Sequence, residues 1–587
     1  MATKNIHYEI PENEETILCP PIGNILELTL NNKREIQHYN FNVIDIPFQI
    51  LRDETRIELL NSAFQYTQQI NSLVLKGFHE IYCRNANDTE KTAVDQLFQR
   101  ISDSNDIVSR LKAVKDIPII LTGHEPIFYH PGIWIKNHLA HYLAKNVEGI
   151  GVNLIVDSDA CTMGFIYMPL LAKKSAVIEK VPFVKDKETL AYEEISFENT
   201  NTVEQFRNEV VALIDNNNHP NVKTIVSAMK SGFDFYFHQL WYSYTQGYKD
   251  ITTLLTSARK RMETEFGINN LEIPVSMMCK TKGFYYFFLH ILFHADQFVK
   301  IHNKKLNDYR SIHKIYSKAN PFPDLQAQDS FVELPFWLWE KGGSRNKCYA
   351  HYSADSIIIT NGNKIGFELR KDEDIQKIVS QLGSLELGSS CIKLRPRAIA
   401  TTMFLRLFFS DVFIHGIGGA KYDVITNEII KEFFNVNPPD YIATTTTLFL
   451  PIETRTIDTK NLETLQKELI DMRANPERHA SEETKRNALF LKNVENKRLL
   501  IEKMKRNDKE KRKQLFDQIK TLNVLIFEQI TNEFINKQNE LEAGKEKVAY
   551  NEVVKFREYP ICIFPLKTLK DHFANVFSEN KNTDKQW

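Results

Sequence analysis

Several features that assign a protein to a class are scarce in this chain of 587 residues. Its seven cysteines are scattered, their number is odd and no CxxC pair occurs, so a secreted disulfide framework is excluded and a reduced cytoplasm is expected. The N-terminal sequence MATKNIHYEIPENEE lacks the apolar segment of a signal peptide. Apolar runs elsewhere are interrupted too early to span a bilayer, so no membrane partner is expected.

Excess charge of either sign is lacking too. Lys and Arg number 74 against 75 Asp and Glu, which gives a formal net charge of −1. Without a global basic field the chain has no long-range attraction for a polyanion, so nucleic acid is not an expected partner. The motifs GxxxxGK[ST], GxSxG and HExxH are absent, and no GxGxxG follows a strand, so the enzyme classes with these signatures are not indicated.

The stretch 117–159 predicts a strand, a helix and a second strand. An apolar run at 117–121 stops at Thr122 and Gly123, and Pro131 stands where proline suits the first turn of a helix. The run at 152–156 then ends in Asp157. A βαβ unit implies parallel strands with a right-handed crossover, and ligands bind at the carboxyl ends of such strands.

This edge is the leading candidate site. His124 and His130 are suited to general-acid work or to contact with a phosphate group. Asp157 and Asp159 are suited to holding Mg²⁺ or orienting an amine, although carboxylates at a strand end also cap turns. A zinc site extended through His138 and His141 is disfavoured, because no cysteine or carboxylate lies close by, so no metal ligand is assigned. The neighbouring binding candidates are Thr122, Gly123 and Lys136.

A second unit of the same kind spans 391–450. A helix is predicted first, and then a strand that ends at His415, which is the third histidine among the catalytic candidates. Glycines follow this strand. A second helix is predicted to begin near Tyr422, and the next strand is predicted at 441–450. Glycines before a helix allow a backbone to wrap an anion, but a tight turn needs glycine equally. Two arginines just upstream are suited to clamping a carboxylate, or to pairing with surface acids. The binding candidates here are Arg395, Arg397, Gly416, Gly418, Gly419, Lys421, Tyr422 and Asp423.

The remaining pattern predicts an α/β protein with a Rossmann-like parallel-sheet core, a small antiparallel β insertion and a C-terminal α-helical coiled coil. Val494, Ile501, Leu515 and Leu522 are spaced in sevens, with a polar break at 505–513, which favours a homodimerising hairpin; a solvated arm without a partner is the alternative. The predicted units are 1–330 and 386–458 for the core, 331–385 for the insertion with three strands, 459–547 for the helices and 548–587 for a terminal segment.

Local patterns predict further elements. These are β-like pieces at 25–30, 43–46 and 559–564, and helices at 55–115, 202–216, 221–266 and 282–300. His290 and His294 have the spacing of metal ligands on a helix, but no HExxH glutamate accompanies them, so a packed helix with satisfied histidines is the preferred interpretation.

Three segments resemble the bacillithiol-biosynthesis cysteine-adding enzyme family (BshC). LTGHEPIFYHPGIWIKNHLAHYLAK and VNLIVDSDA resemble its TGQQ-type loop and helix and its acidic strand end. LPFWLWEKGG through KLRP resembles its β insertion, and DVFIHGIGGAKYDVITNEIIKEFFNVNPPDYIATTTTLFL resembles its Gly-rich strand, loop and helix. The order is the same from about residue 116 to 545.

The resemblance implies a core related to nucleotidyltransferases, a coiled-coil homodimer, and a ligase that joins cysteine to the amino group of glucosaminyl malate. The pocket motifs diverge, since His124-Glu125 replaces a Gln-Gln pair and Gly419 stands where the family tends to have glutamate. An altered substrate is therefore expected.

Two hypotheses follow. One is an amide-forming enzyme for an amino acid and an aminated small molecule such as an amino-sugar conjugate, with ATP or ADP and Mg²⁺ as candidate cofactors. The other is a non-catalytic protein that binds a nucleotide or another anion and assembles through its coiled coil. Polar groups at the three strand ends favour the enzyme.

Overall fold

The computed structural model of the protein describes residues 8–82, 117–172, 176–185, 189–328, 331–363, 365–387, 391–506 and 508–579. Its strands are β1 Thr16–Cys19, β2 Asn42–Val43, β3 Ile46–Pro47, β4 Ile119–His124, β5 Ile150–Ile155, β6 Phe165–Leu171, β7 Ala176–Pro182, β8 Leu271–Pro274, β9 Ala327–Gln328, β10 Phe331–Glu340, β11 Asn346–Tyr352, β12 Ser356–Thr360, β13 Gly366–Arg370, β14 Ile392–Pro396, β15 Val412–Gly416 and β16 Tyr441–Thr446.

Its helices, in chain order, are α1 Ile22–Gln37, α2 Phe48–Tyr82, α3 Pro131–Asn146, α4 Thr200–Asp215, α5 Lys223–Thr245, α6 Ile251–Thr264, α7 Val275–Met278, α8 Lys282–Phe293, α9 Ala295–Ile312, α10 Ile375–Ser384, α11 Ala398–Phe408, α12 Ile417–Phe433, α13 Thr459–Ala474, α14 Ala488–Lys505, α15 Lys509–Glu528, α16 Thr531–Val554 and α17 Leu566–Glu579. None of these described helices is both long enough and apolar enough to cross a membrane.

The central sheet is mostly parallel, which confirms the predicted α/β class. Its strand order is β1-β16-β15-β4-β5-β8, with β1 antiparallel at one edge and the other five strands parallel. The chain leaves β4 through α3 to reach β5 on one side, and leaves β15 through α12 to reach β16 on the other. The direction of winding therefore reverses between β4 and β15, and a crevice forms at the carboxyl ends of strands where such a reversal occurs.

The two faces of this sheet are covered by different helices. Ile120 and Ile414 pack in one apolar cluster with residues of α1 and α3. Leu121 is the next residue along β4 and Phe413 is the residue before Ile414 on β15, so their side chains lie on the opposite face. They pack in the main core with α8, α11 and α12. Because right-handed crossovers in opposite directions lie on opposite faces, α3 and α12 begin on opposite sides of the same sheet edge.

A second sheet forms the antiparallel insertion. Its order is β13-β12-β11-β10-β14, with β9 paired to β10, and Gly342 and Gly362 in its turns have positive φ. The expected limit of 331–385 with three strands is too narrow. The second half of the ten-residue β10 pairs with all of β14, from Phe336 with Pro396 to Glu340 with Ile392. The sheet therefore continues past residue 385.

The helical region after Asp458 is confirmed as helical and forms two packed pairs, α13 with α16 and α14 with α15. The polar break predicted at 505–513 contains the gap between α14 and α15 at 506–508, and its last five residues form the start of α15. Val494 and Ile501 on α14, and Leu515 and Leu522 on α15, are each half-buried.

Some predicted elements are wrong. Residues 25–30 belong to α1, because Ile25, Thr29, Asn32 and Ile36 bury one helical face. Within 559–564 the chain forms a short 3-10 turn, Ile561–Ile563, rather than a strand, and Pro560 directly before it has no N–H to donate to a strand partner.

Other elements have different limits. The helix expected at 221–266 divides between α5 and α6, and the one at 282–300 divides at His294 between α8 and α9. The strand expected at 441–450 ends at Thr446. The helix expected at 55–115 is α2 as far as Tyr82, and its later apolar positions, Leu97, Ile101 and Leu111, lie outside the described residues.

Candidate functional site

The three strand ends chosen from the sequence open on one edge of the sheet. Thr122 in β4 aligns with Ile414 in β15 and with Asn153 in β5, and both pairings are parallel. Thr122 helps to hold this register, because its Oγ1 donates to the Ile414 carbonyl at 3.0 Å. It is buried, so it supports the edge rather than facing a ligand.

The N-terminus of α3 forms a basic half of the edge. His130 caps the helix, with Nδ1 accepting from the Gly132 N–H at 3.1 Å. Arg557, from the segment after α16, lies against this turn and donates through Nη2 to Thr445 Oγ1 at 2.9 Å and to the Thr446 carbonyl at 3.2 Å. Burial, and then the charge of Arg557, lower the pKa of His130 to about 3. The positive charge here therefore comes from Arg557 and the helix dipole, not from His130.

Gly132 is required by this arrangement. A Cβ at this position would lie 2.6 Å from Arg557 Nη2 and 2.7 Å from the carbonyl oxygen of Thr446. Both approaches are closer than a side chain permits, so the absence of a Cβ lets the guanidinium reach the start of α3.

Lys136 lies one turn further along α3. Its side chain is 3 % exposed, and Nζ donates to the Gly123 carbonyl at 2.6 Å. Burial lowers the pKa of Lys136 to about 7, against the opposing charge of Glu125. A lysine that loses its proton near neutral pH is able to act as a base, which an exposed lysine is not.

Glu125 and Asp159 form an acidic half. Burial and the adjacent Asp159, with which it shares a hydrogen bond, raise the pKa of Glu125 to about 8. Asp159 Oδ1 also pairs with Arg345 Nη1 at 2.6 Å. Two carboxyl groups this close do not both ionise easily, so Glu125 holds a proton while Asp159 is balanced by Arg345.

His124 stands between the two halves. Burial lowers the pKa of its imidazole well below the ordinary value, and the adjacent Lys136 lowers it further. Its Nδ1 is buried and has no hydrogen-bond partner among the described residues, while its ring meets Tyr129 edge-on at 5.6 Å. A buried polar atom without a partner is costly, and a ligand group placed there would satisfy it.

Asp157 has a positioning role. It is 2 % exposed and accepts from the Ser276 N–H at 2.9 Å and from Ser276 Oγ at 2.5 Å, which joins the end of β5 to the start of α7. Burial and the nearby Glu193 raise its pKa to about 7.

The aspartates do not fit the expected Mg²⁺ site. Asp157 is bound to Ser276 and Asp159 to Arg345, so they do not offer a shared set of oxygens, and the described residues contain no group of three metal-ligating side chains. No chemical step is assigned to a metal here.

His415 and Asp423 form a separate pair. His415 Nε2 lies 2.9 Å from Asp423 Oδ2, and Arg406 Nη1 lies 2.6 Å from the same oxygen. The Arg406 and His415 charges hold the pKa of Asp423 below its usual range despite burial. Side chains along a strand alternate between the two faces of the sheet, so His415 lies on the same face as Phe413, which is the α12 face. By the same rule His124 lies on the same face as Ile120, which is the α3 face. The predicted catalytic set is thus divided between two faces of one edge.

The glycines after β15 are not a loop. The helix expected near Tyr422 begins at Ile417, so Gly416 is its N-cap and Gly418 lies in its first turn. A Cβ on either would meet nothing within 4 Å, whereas one on Gly419 would lie 3.1 Å from His415 Nδ1. Lys421 and Tyr422 are exposed on α12.

The two arginines expected to clamp a substrate carboxylate are engaged by the protein. Arg395 binds Glu193 through Nε at 2.8 Å and Nη2 at 2.9 Å, and its Nη1 binds Glu386 at 2.6 Å. Arg397 Nη1 binds Glu333 at 2.8 Å. Arg395 is buried with every donor group matched, so it pairs with acids of the protein, and those acids are largely buried. Arg397 Nε and Nη2 have no hydrogen-bond partner among the described residues.

Three residues of the cluster are not among the site residues predicted from the sequence. Glu125 directly follows His124 at a strand end, and that position was a usable signal. Arg345 comes from the turn between β10 and β11, and Arg557 from beyond α16. No local pattern marks either arginine, because only tertiary packing brings them to this edge. In comparisons with known proteins, no family model and no curated protein matches the chain.

Proposed function

We propose that the protein is an amide-forming, ligase-like enzyme that joins an amine-bearing small molecule to an acyl group at the carboxyl edge of its central sheet. The observation that carries the proposal is the two-signed cluster on the α3 face, with Arg557 at the helix start, Glu125 and Asp159 opposite, and Lys136 between them. Such an arrangement of charges suits a ligand with both an amino group and an anionic group, such as an amino-sugar conjugate.

The chemistry needs a base. An amine is protonated near neutral pH and attacks an acyl carbon only after it loses that proton. Lys136, with a pKa of about 7, is placed to accept it. The nitrogen then forms the new C–N bond and the leaving group of the activated acyl donor departs. ATP is the co-substrate proposed to activate the acyl group, and no residue is assigned to that step.

The sheet topology supports a Rossmann-like description of the core, because the winding reverses between β4 and β15 and His124 follows that point. The resemblance to the cysteine-adding enzyme family belongs to the same proposal, as do a cytoplasmic location and a homodimer formed through coiled-coil helices. The second candidate is a non-catalytic anion-binding protein, favoured by one observation: His415 and Asp423 are engaged with Arg406 rather than facing the Lys136 cluster.

Product analysis tests the enzyme. The full chain is incubated with ATP, Mg²⁺, cysteine and glucosaminyl malate, with the other amino acids in parallel, and amide products are sought by mass spectrometry. Lys136→Met should lower the rate about 100-fold or more, the scale of general-base catalysis. Lys145→Met is the matched control, since Lys145 is exposed near the end of the same helix.

Wild-type activity should also rise as the pH passes through about 7, where Lys136 loses its proton. Absence of any amide product with the whole amino-acid set, or equal rates for the two lysine variants, would reject Lys136 as the base and support the non-catalytic alternative.

A further inference from the structure

The end of the α14–α15 hairpin concentrates positive charge in an otherwise neutral chain. Residues 503–513 contain seven Lys and Arg against two Asp and Glu, a local net charge of +5, whereas the whole chain carries −1. The hairpin is antiparallel because the two packed helices are joined by a short link, so the end of α14 and the start of α15 meet. We define the basic tip by its exposed cations, which are Lys505, Arg506, Lys509, Lys511, Arg512 and Lys513.

These six cations form no ion pair among the described residues, whereas some other cations of the same helical region do. Lys497 binds Glu477 at 2.7 Å, and Arg498 binds Glu495 at 2.9 Å. Within the described residues no ion pair involves a member of the basic tip. An ordinary solvated helical surface interleaves charges of both signs, as the rest of this region does. The tip departs from that pattern.

The position of the charges adds to the departure. Basic residues at the end of α14 are favourable, because they face the negative end of the helix dipole. Lys509, Lys511, Arg512 and Lys513 instead occupy the first turns of α15, where the dipole repels cations, and Asp508 with Glu510 offset only part of this. The helix dipole therefore opposes these four cations, and residues that break a local rule without an evident compensating contact are those expected to serve binding.

We propose that the basic tip docks on the phosphodiester backbone of nucleic acid. Four cations within five residues of α15 match a surface of closely spaced negative charges. An interfacial membrane helix needs an apolar face among its cations, but the first apolar residue of α15 is Leu515, beyond the charged turns. The tip carries no set of Asn, Gln and paired arginines arranged for base edges, so contact with phosphates independent of sequence is expected. The near-zero net charge of the chain masked this local field in the sequence analysis.

Fluorescence anisotropy with the full chain tests the proposal, using a labelled DNA duplex of about 20 base pairs and an RNA hairpin of similar size. With about four phosphate contacts, affinity should fall about 100-fold between about 50 and 200 mM salt. The tip variant should lose most of the binding and most of that salt dependence; it carries Lys509→Gln, Lys511→Gln, Arg512→Gln and Lys513→Gln. The relative affinity for the two probes decides whether RNA or DNA is preferred.

A matched control removes four exposed, paired cations elsewhere and should bind like wild type; it carries Lys485→Gln, Arg498→Gln, Lys545→Gln and Lys567→Gln. Equal circular dichroism and melting temperatures establish that both variants are folded. The proposal is overturned if wild type binds neither nucleic acid, if the tip variant binds as wild type does, or if tip-dependent binding occurs only to phosphatidylserine vesicles. Lys136→Met should leave nucleic-acid binding unchanged, which separates this result from the fate of the proposed reaction.

Discussion

At the scale of single residues, burial moves Lys136 and Glu125 toward neutrality from opposite sides. The lysine loses its proton more easily because its ammonium is out of water, and the glutamic acid keeps its proton because it is buried beside Asp159. Burial therefore favours the uncharged forms of these two side chains. A ligand that supplies its own charges would change both protonation states.

Glu125 predicts a specific dependence of stability on pH. Its folded pKa of about 8 lies above the ordinary value of 4.5, so the folded chain holds this proton more tightly than the unfolded chain. The resulting stabilisation is fully present below the unfolded pKa and is lost as pH rises through about 8. Glu125→Gln should therefore flatten the decline of melting temperature from about pH 5 to 8. Glu340→Gln, at an exposed site, should keep the wild-type slope; the assignment fails if both variants retain it.

At the scale of elements, the contact between the start of α3 and Arg557 joins the βαβ unit to the C-terminal segment. Gly132→Ala places a methyl group 2.7 Å from the Thr446 carbonyl oxygen and within reach of Arg557. The strain should lower the unfolding free energy by about 1–3 kcal/mol and displace the guanidinium.

Gly418→Ala is the contrasting variant, because a Cβ there meets open space in the first turn of α12. It should be neutral or stabilise by up to about 1 kcal/mol, the helix preference of alanine over glycine. Melting temperatures of both variants decide the matter. If both substitutions change the melting temperature equally, the start of α3 has room for a methyl group at residue 132.

The two αβ units were predictable because their patterns are local. Apolar runs of strand length, a proline at a helix start and polar residues at strand ends together fix β4, α3 and β5. The antiparallel sheet was only partly predictable, since β14 is short and is recognised only by its pairing with β10. His415 was placed at the correct edge, but strand alternation puts it on the α12 face. The cations of the cluster, Arg345 and Arg557, come from distant segments and left no local signal.

At the scale of the whole molecule, the four heptad residues on α14 and α15 are already half-buried within one chain, and Val494 packs against a cluster that includes Phe490 and Ile526. A homodimer would use other apolar residues of the helical region, which are well exposed: Ile470, Leu489, Leu491 and Val524. We predict that light scattering of the full chain gives twice the 68.4 kDa of one chain. Leu489→Lys with Val524→Lys should shift the mass toward the monomer; a monomeric wild type would instead support the solvated arm.

The most direct test of the central claim is calorimetric titration with three ligands: glucosaminyl malate, which carries both charges, malate alone and glucosamine alone. We predict that Arg557→Gln weakens binding of the two malate-bearing ligands about 10- to 100-fold, the loss of a charge-assisted hydrogen bond. Glu125→Gln should weaken the two amine-bearing ligands and spare malate, while Lys421→Gln, exposed on α12, should change nothing. If wild type binds none of the three, or if Lys421→Gln weakens binding while Arg557→Gln and Glu125→Gln do not, the ligand site is not the α3 cluster.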